Sequence, residues 1–151
     1  SSPPPEPPTA LERARHGFAS GDEEEAIKNY RAHLGENADD FGVAAELAAA
    51  LIAVGRIDDG VAMIRLAYGS DPGLASRPIS ERVSLGSRAW RDLVIRSVKH
   101  AHKRDTGSSW LAVSVLMQAE GREKVGLRML ERAEDRGLDP TLVSPLAAEM
   151  R

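Results

Sequence analysis

No cysteine occurs among the 151 residues, which excludes a disulfide framework and thiolate chemistry and leaves the redox compartment undecided. Aromatic residues make up only 4% of the chain, so a core has to be built from Ala, Leu, Val, Ile and Met. The longest apolar stretch, Phe41 to Gly55, is interrupted by Glu46 and falls short of the ~20 residues that a membrane-spanning helix needs. No segment alternates apolar and polar residues, with β-branched side chains, for long enough to argue a strand. A Gly-rich phosphate loop, a Gly-x-Ser-x-Gly elbow and a supported Ser/His/Asp set are all missing. Neither a catalytic residue nor a cofactor is expected.

What is present belongs to helical chains: Ala, Leu, Glu and Arg dominate, hydrophobic residues are 42% and charged residues 28%, and the length suits one domain with a real core. The net charge of −3 conceals a polarity. Residues 1–72 carry 6 Lys+Arg against 13 Asp+Glu, a balance of −7, whereas residues 73–151 carry 14 against 10, a balance of +4. The opening Ser-Ser-Pro-Pro-Pro-Glu-Pro-Pro reads as a stiff, polyproline-like linker over residues 1–9, cut from something longer, with the folded domain in residues 10–151. A ligand for a proline-reading domain is the sharper alternative for this stretch.

A repeat organises the rest. Gly21-Asp22-Glu23-Glu24-Glu25-Ala26 aligns with Gly55-Arg56-Ile57-Asp58-Asp59-Gly60 at a spacing of 34 residues, and Gly121-Arg122-Glu123-Lys124-Val125-Gly126 stands in the same relation to its surroundings. In each unit a glycine ends one helix in the left-handed region and an acidic residue caps the next, with Asp22 and Glu25 forming a capping box and Asp58 serving as an N-cap. Ala26, Gly60 and Gly126 let paired helices approach closely. Tyr30, Ile64 and Leu130, four residues further on, fill the space beyond.

These residues resemble the tetratricopeptide repeat, a helix-turn-helix of 34 residues, over most of Leu11 to Asp139. The best unit, Phe41 to Leu74, has Leu47-Ala48, Leu51, Gly55, Ala67 and Pro72 where the family has them, and Trp110 begins the last unit. The resemblance implies an all-α, right-handed stack of about three to four hairpins whose first helices line a concave, apolar groove. By the family's geometry that groove is lined by Leu11, Arg15 and Phe18, by Gly42, Ala45, Ala49 and Ile52, and by Leu111, Val115 and Gln118. Some members grip a C-terminal carboxylate with Lys, Asn and Arg; the matching positions here are Leu11, Arg15, Glu46, Ser76 and Ser80, so that clamp is absent.

The third unit is degraded. Trp90, Leu93, Val94, Val98 and Ala101 give it a convincing second helix with Arg88, Arg96, Lys99 and Lys103 opposite, but Pro78 and Gly86 disturb its first. It reads as a variant repeat, the alternative being a loop or short helix from Pro78 to Gly86 that leaves three hairpins and one orphan helix. After the fourth hairpin, Asp139-Pro140 opens a segment whose Leu142, Leu146, Ala147 and Met150 can close the stack.

Binding follows as the expected function, with a protein or peptide as partner. His100 and His102 stand two apart on a helix and cannot converge on a metal. His16 and His33 read as packing or surface residues. Asp22 to Glu25 read as first-turn carboxylates facing the helix dipole. The helix from Phe41 to Val54 is apolar nearly all round, so something must cover it: a partner helix or peptide, the segment from Leu142 to Met150, or a second copy of the chain. The rival site is the basic stretch of residues 77–104, where 8 Lys+Arg face Glu81 and Asp92, open to an anionic partner. Nucleic acid is disfavoured by a pI of ≈ 5.8 and by the lack of aromatics among the cations. A third reading is a structural, self-associating spacer.

Overall fold

The computed structural model describes residues 2–151, and among them the regular structure is helical throughout, eight α-helices and no strand. Three antiparallel hairpins carry the architecture: α1 (Ala10–Ala19) with α2 (Glu23–Glu36), α3 (Phe41–Ala53) with α4 (Ile57–Ser70), and α6 (Gly107–Ala119) with α7 (Glu123–Asp135). Between the second and third hairpins runs the long α5 (Ser87–Arg104), and α8 (Pro140–Met150) follows the last. One continuous core joins them all, with Tyr30, Ile64, Leu130 and Leu146 fully enclosed.

The hairpin turns are set by glycine. Gly21, Gly55 and Gly121 adopt φ of 83°, 85° and 89°, a region where any other residue is strained. Arg56 N–H closes the second turn onto Leu51 O at 2.9 Å, and Arg122 N–H closes the third onto Met117 O at 2.9 Å. Each hairpin then packs closely through a small residue. A Cβ on Gly60 would stand 2.6 Å from Ile52 Cγ1 and 2.8 Å from the Ala48 carbonyl oxygen.

The expected acidic caps take a different form. Asp22 occupies the N-cap of α2, but its carboxylate caps no backbone N–H, so the capping box with Glu25 is not formed. Arg56, not Asp58, stands at the N-cap of α4. Asp58 lies in the first turn and reaches across to α5, pairing with His100 at 3.1 Å and Arg104 at 3.0 Å.

The third unit has no first helix. Pro72–Ser76 and Ile79–Glu81 form two short 3-10 turns, and Arg77, directly before Pro78, is extended with φ −138° and ψ 138°, as the proline ring requires of its predecessor. The variant-repeat expectation therefore gives way to its alternative, three hairpins and an unpaired α5. The irregular segment is well anchored. Ala75, Ile79 and Val83 are buried, Gln118 Nε2 donates to Ala75 O at 2.7 Å, α8 packs on the first turn and α6 on the second.

Candidate functional site

The ten residues expected to line an open groove are mostly interior. Ala45, Ala49, Ile52, Leu111 and Val115 are fully enclosed, and Phe18 and Gln118 are buried. Helices α3 and α6 have almost no polar face, and such helices must be covered; the cover comes from the chain itself. Around α3 stand α2, α4 and α5, while α6 is enclosed by α4, α5, α7 and the Ile79–Glu81 turn. At the end of the stack α8 lies close enough for the Ser114 hydroxyl to approach Met150 Sδ at 3.7 Å. Seven of the ten positions are thus buried in the chain's own packing.

Leu11, Arg15 and Gly42 stay partly open, at the mouth of a cleft of about 300 Å³ closed on its far side by Leu74 and Arg82. Its floor is Glu46, fully buried in an apolar helix. A buried carboxylate needs charge and hydrogen-bond partners. Arg15 supplies a two-pronged pair, Nε to Oε1 at 2.8 Å and the terminal nitrogen to Oε2 at 2.9 Å. Tyr30 donates its hydroxyl to Oε1 at 3.2 Å, and Arg82 brings Nε to 3.4 Å from Oε2 while donating to Gly42 O at 3.4 Å. The pairing raises Arg15 further above its already high range. Burial first, and the Glu46 charge second, push the Tyr30 phenol far up, so it remains a neutral donor. A carboxylate hydrogen-bonded by Arg15 and Tyr30 and ion-paired with Arg82 fixes α1 and the irregular segment onto α3.

The outer face of α5 is built differently. Trp90, Leu93, Val94, Ser97 and Ala101 turn inward, and Ile95 points outward with 54% of its surface exposed. Beside it runs a shallow groove of about 420 Å³, floored by Val94, Val98 and Met117 and rimmed by Arg91, Lys99 and Arg122. Towards the start of α5 it meets a second depression of about 720 Å³ that shares Arg91 and Arg122 and adds Ser87, Arg88, Asp92 and Glu120. Arg91 and Arg122 converge on Glu120 at 2.9 and 3.6 Å. Among the described residues Arg88, Arg96, Lys99 and Lys103 have no carboxylate within ion-pairing distance. The sequence pointed to these four cations but not to Ile95, whose signal was an isoleucine surrounded by charge on an otherwise amphipathic helix.

The far end of α5 is fixed to the last hairpin. Asp105, left-handed at φ 50°, accepts from Trp110 Nε1 at 3.0 Å and from Arg136 Nε at 2.9 Å. Arg132 lies 4.1 Å over the Trp110 ring and His102 meets its edge at 5.0 Å. Trp110 is buried. His100 and His102 thus serve the packing of the helix end, one on Asp58 and the other on Trp110, and His33 pairs with Asp40 at 2.8 Å.

No family model matches the chain, and neither a curated protein nor a solved structure matches it.

Proposed function

We propose that the chain is a helical-repeat scaffold of the tetratricopeptide type that holds another protein on the outer face of α5. Support for the repeat reading comes from the glycine turns, of which Gly21 and Gly55 lie 34 residues apart, and from the small residues at which the paired helices meet. The surface differs from the one the family's geometry implies. Most of the expected positions are buried in the chain's own packing, whereas α5 leaves an apolar groove open among Arg91, Lys99 and Arg122, the first and last of which share Glu120.

One observation carries the choice: Ile95 stands exposed over Val98 and Met117 inside a ring of Arg and Lys. A lone exposed aliphatic residue is ordinary on a protein surface; what singles out this face is its combination with the surrounding Arg and Lys. Binding rather than catalysis suits the one buried carboxylate, which is fully engaged by Arg15, Tyr30 and Arg82. Nucleic acid fits this face less well, because Asp92 and Glu120 stand among its cations and no aromatic side chain is presented for base stacking.

The test is co-purification with Ile95→Asp and, as a control, Leu66→Asp, which alters the other large exposed aliphatic residue. The expected result is a partner recovered by the unchanged protein and by the Leu66 variant but lost by the Ile95 variant, all three equally helical. Equal recovery by all three would remove α5 as the binding face.

A further inference from the structure

The chemistry of the α5 face selects its occupant. We infer that it receives an acidic amphipathic helix, laid along α5 with its apolar side on Ile95, Val98 and Met117 and its carboxylates towards Arg88, Lys99 and Arg122. This inference rests on the reading of the chain as a scaffold for another protein and names the class of that partner.

Three observations lead to it. The first is charge: Arg88 and Lys99 are exposed and lack carboxylate partners, and at seven and four residues from Ile95 they lie on its side of the helix, within about 40° of it. Arg122 faces them across the groove from the turn between α6 and α7, already sharing Glu120 with Arg91. Two carboxylates, Asp92 and Glu120, stand in this region, so cations still predominate and the register of an incoming acidic segment is restricted.

The second is shape. The two depressions share Arg91 and Arg122 and together follow α5 from Ser87 to Lys99, about three helical turns of a partner at 1.5 Å per residue. The third is the backbone. The described residues form no strand, so an extended peptide has no sheet edge here to add to. A helix arrives with its backbone N–H and C=O groups already paired, and presents apolar residues three and four apart to a groove of this kind.

The test uses three synthetic peptides of about 18 residues and equal helicity. One carries leucines along a single face flanked by glutamates; the second replaces the glutamates with lysine; the third replaces the leucines with serine. Titration followed by calorimetry should give the first peptide at least about tenfold tighter binding than either control. Ile95→Asp should lose that binding by a similar factor, and Lys99→Glu with Arg122→Glu should transfer the preference to the lysine peptide. Equal binding of the glutamate and lysine peptides, or of the serine peptide, overturns the proposal. Equal binding of the serine peptide would mark a purely anionic surface. Concentration-dependent dimerisation abolished by Ile95→Asp also overturns it, in favour of a second copy as occupant. Should the peptides fail while Ile95→Asp still loses its co-purified partner, the scaffold reading stands and only the acidic helix falls.

Discussion

Helices α3 and α5 face the same interior and have opposite outer sides. Nearly every residue of α3 is apolar and nearly every one is buried; α5 buries one stripe and exposes cations with a single isoleucine among them. Apolarity alone therefore does not identify the docking surface. A helix apolar all round is covered by its own fold, while the outer side of an amphipathic helix stays exposed.

The contrast can be broken most sharply at Ala49. If α3 faced an open groove, Ala49→Arg would leave the protein folded. Because Ala49 is fully enclosed, the long charged side chain is expected to cost about 4 kcal/mol or more, enough to unfold a small domain. Chemical denaturation of the variant checks this, and a stability near that of the unchanged protein would mean the groove is open.

Trp110→Ala empties the largest enclosed side chain of the neighbouring helix α6 and also removes the donor to Asp105 and the face under Arg132. The expected loss is about 3–5 kcal/mol. A loss below about 1 kcal/mol would contradict the packing of α5 on the last hairpin. Gly60→Ala probes the other side of α3 more gently: its new Cβ meets Ile52 and the Ala48 carbonyl, and separating α3 from α4 should cost about 1–3 kcal/mol. A neutral or stabilising result would show that the two helices can move apart freely.

The smallest effect concerns Asp105, at the end of α5. Its carboxyl is held below the ordinary value of 3.8, first by the Trp110 indole N–H and then by Arg136. A depressed native pKa gives stability that is present above the unfolded value and lost as pH falls through the native one. Asp105→Asn, which also tolerates the left-handed backbone, should flatten the acid side of the stability curve below about pH 4. Thermal melts across pH 2–5, an interval of about three units, provide the comparison, and parallel curves for the two proteins would remove the linkage.

Much of the architecture was legible because it rests on local chemistry: Gly21, Gly55 and Gly121 mark turns that only glycine forms easily, and Ala26, Gly60 and Gly126 mark close approaches. The candidate site was less legible because it depends on tertiary cover. Pro78 warned of an irregular segment, but nothing in its residues said that Ala75, Ile79 and Val83 would turn inward against α6 and α8. Glu46 stood out in the sequence only as the break in an apolar stretch. That Arg15 arrives from α1 and Arg82 from the irregular segment follows from contacts 31 and 36 residues apart, beyond any local pattern.

The absence of cysteine permits one direct comparison of the two helices. Single cysteines placed at Ala49 on α3 and Ile95 on α5 can be followed with a thiol reagent under native conditions. The account predicts that the thiol on α5 reacts within a few-fold of a free peptide thiol, while the thiol on α3 reacts only through unfolding, slower by a factor on the order of 10³ or more. Rapid labelling of both would contradict it, since α3 would then face an open groove and α5 would lose its standing as the surface left for a partner.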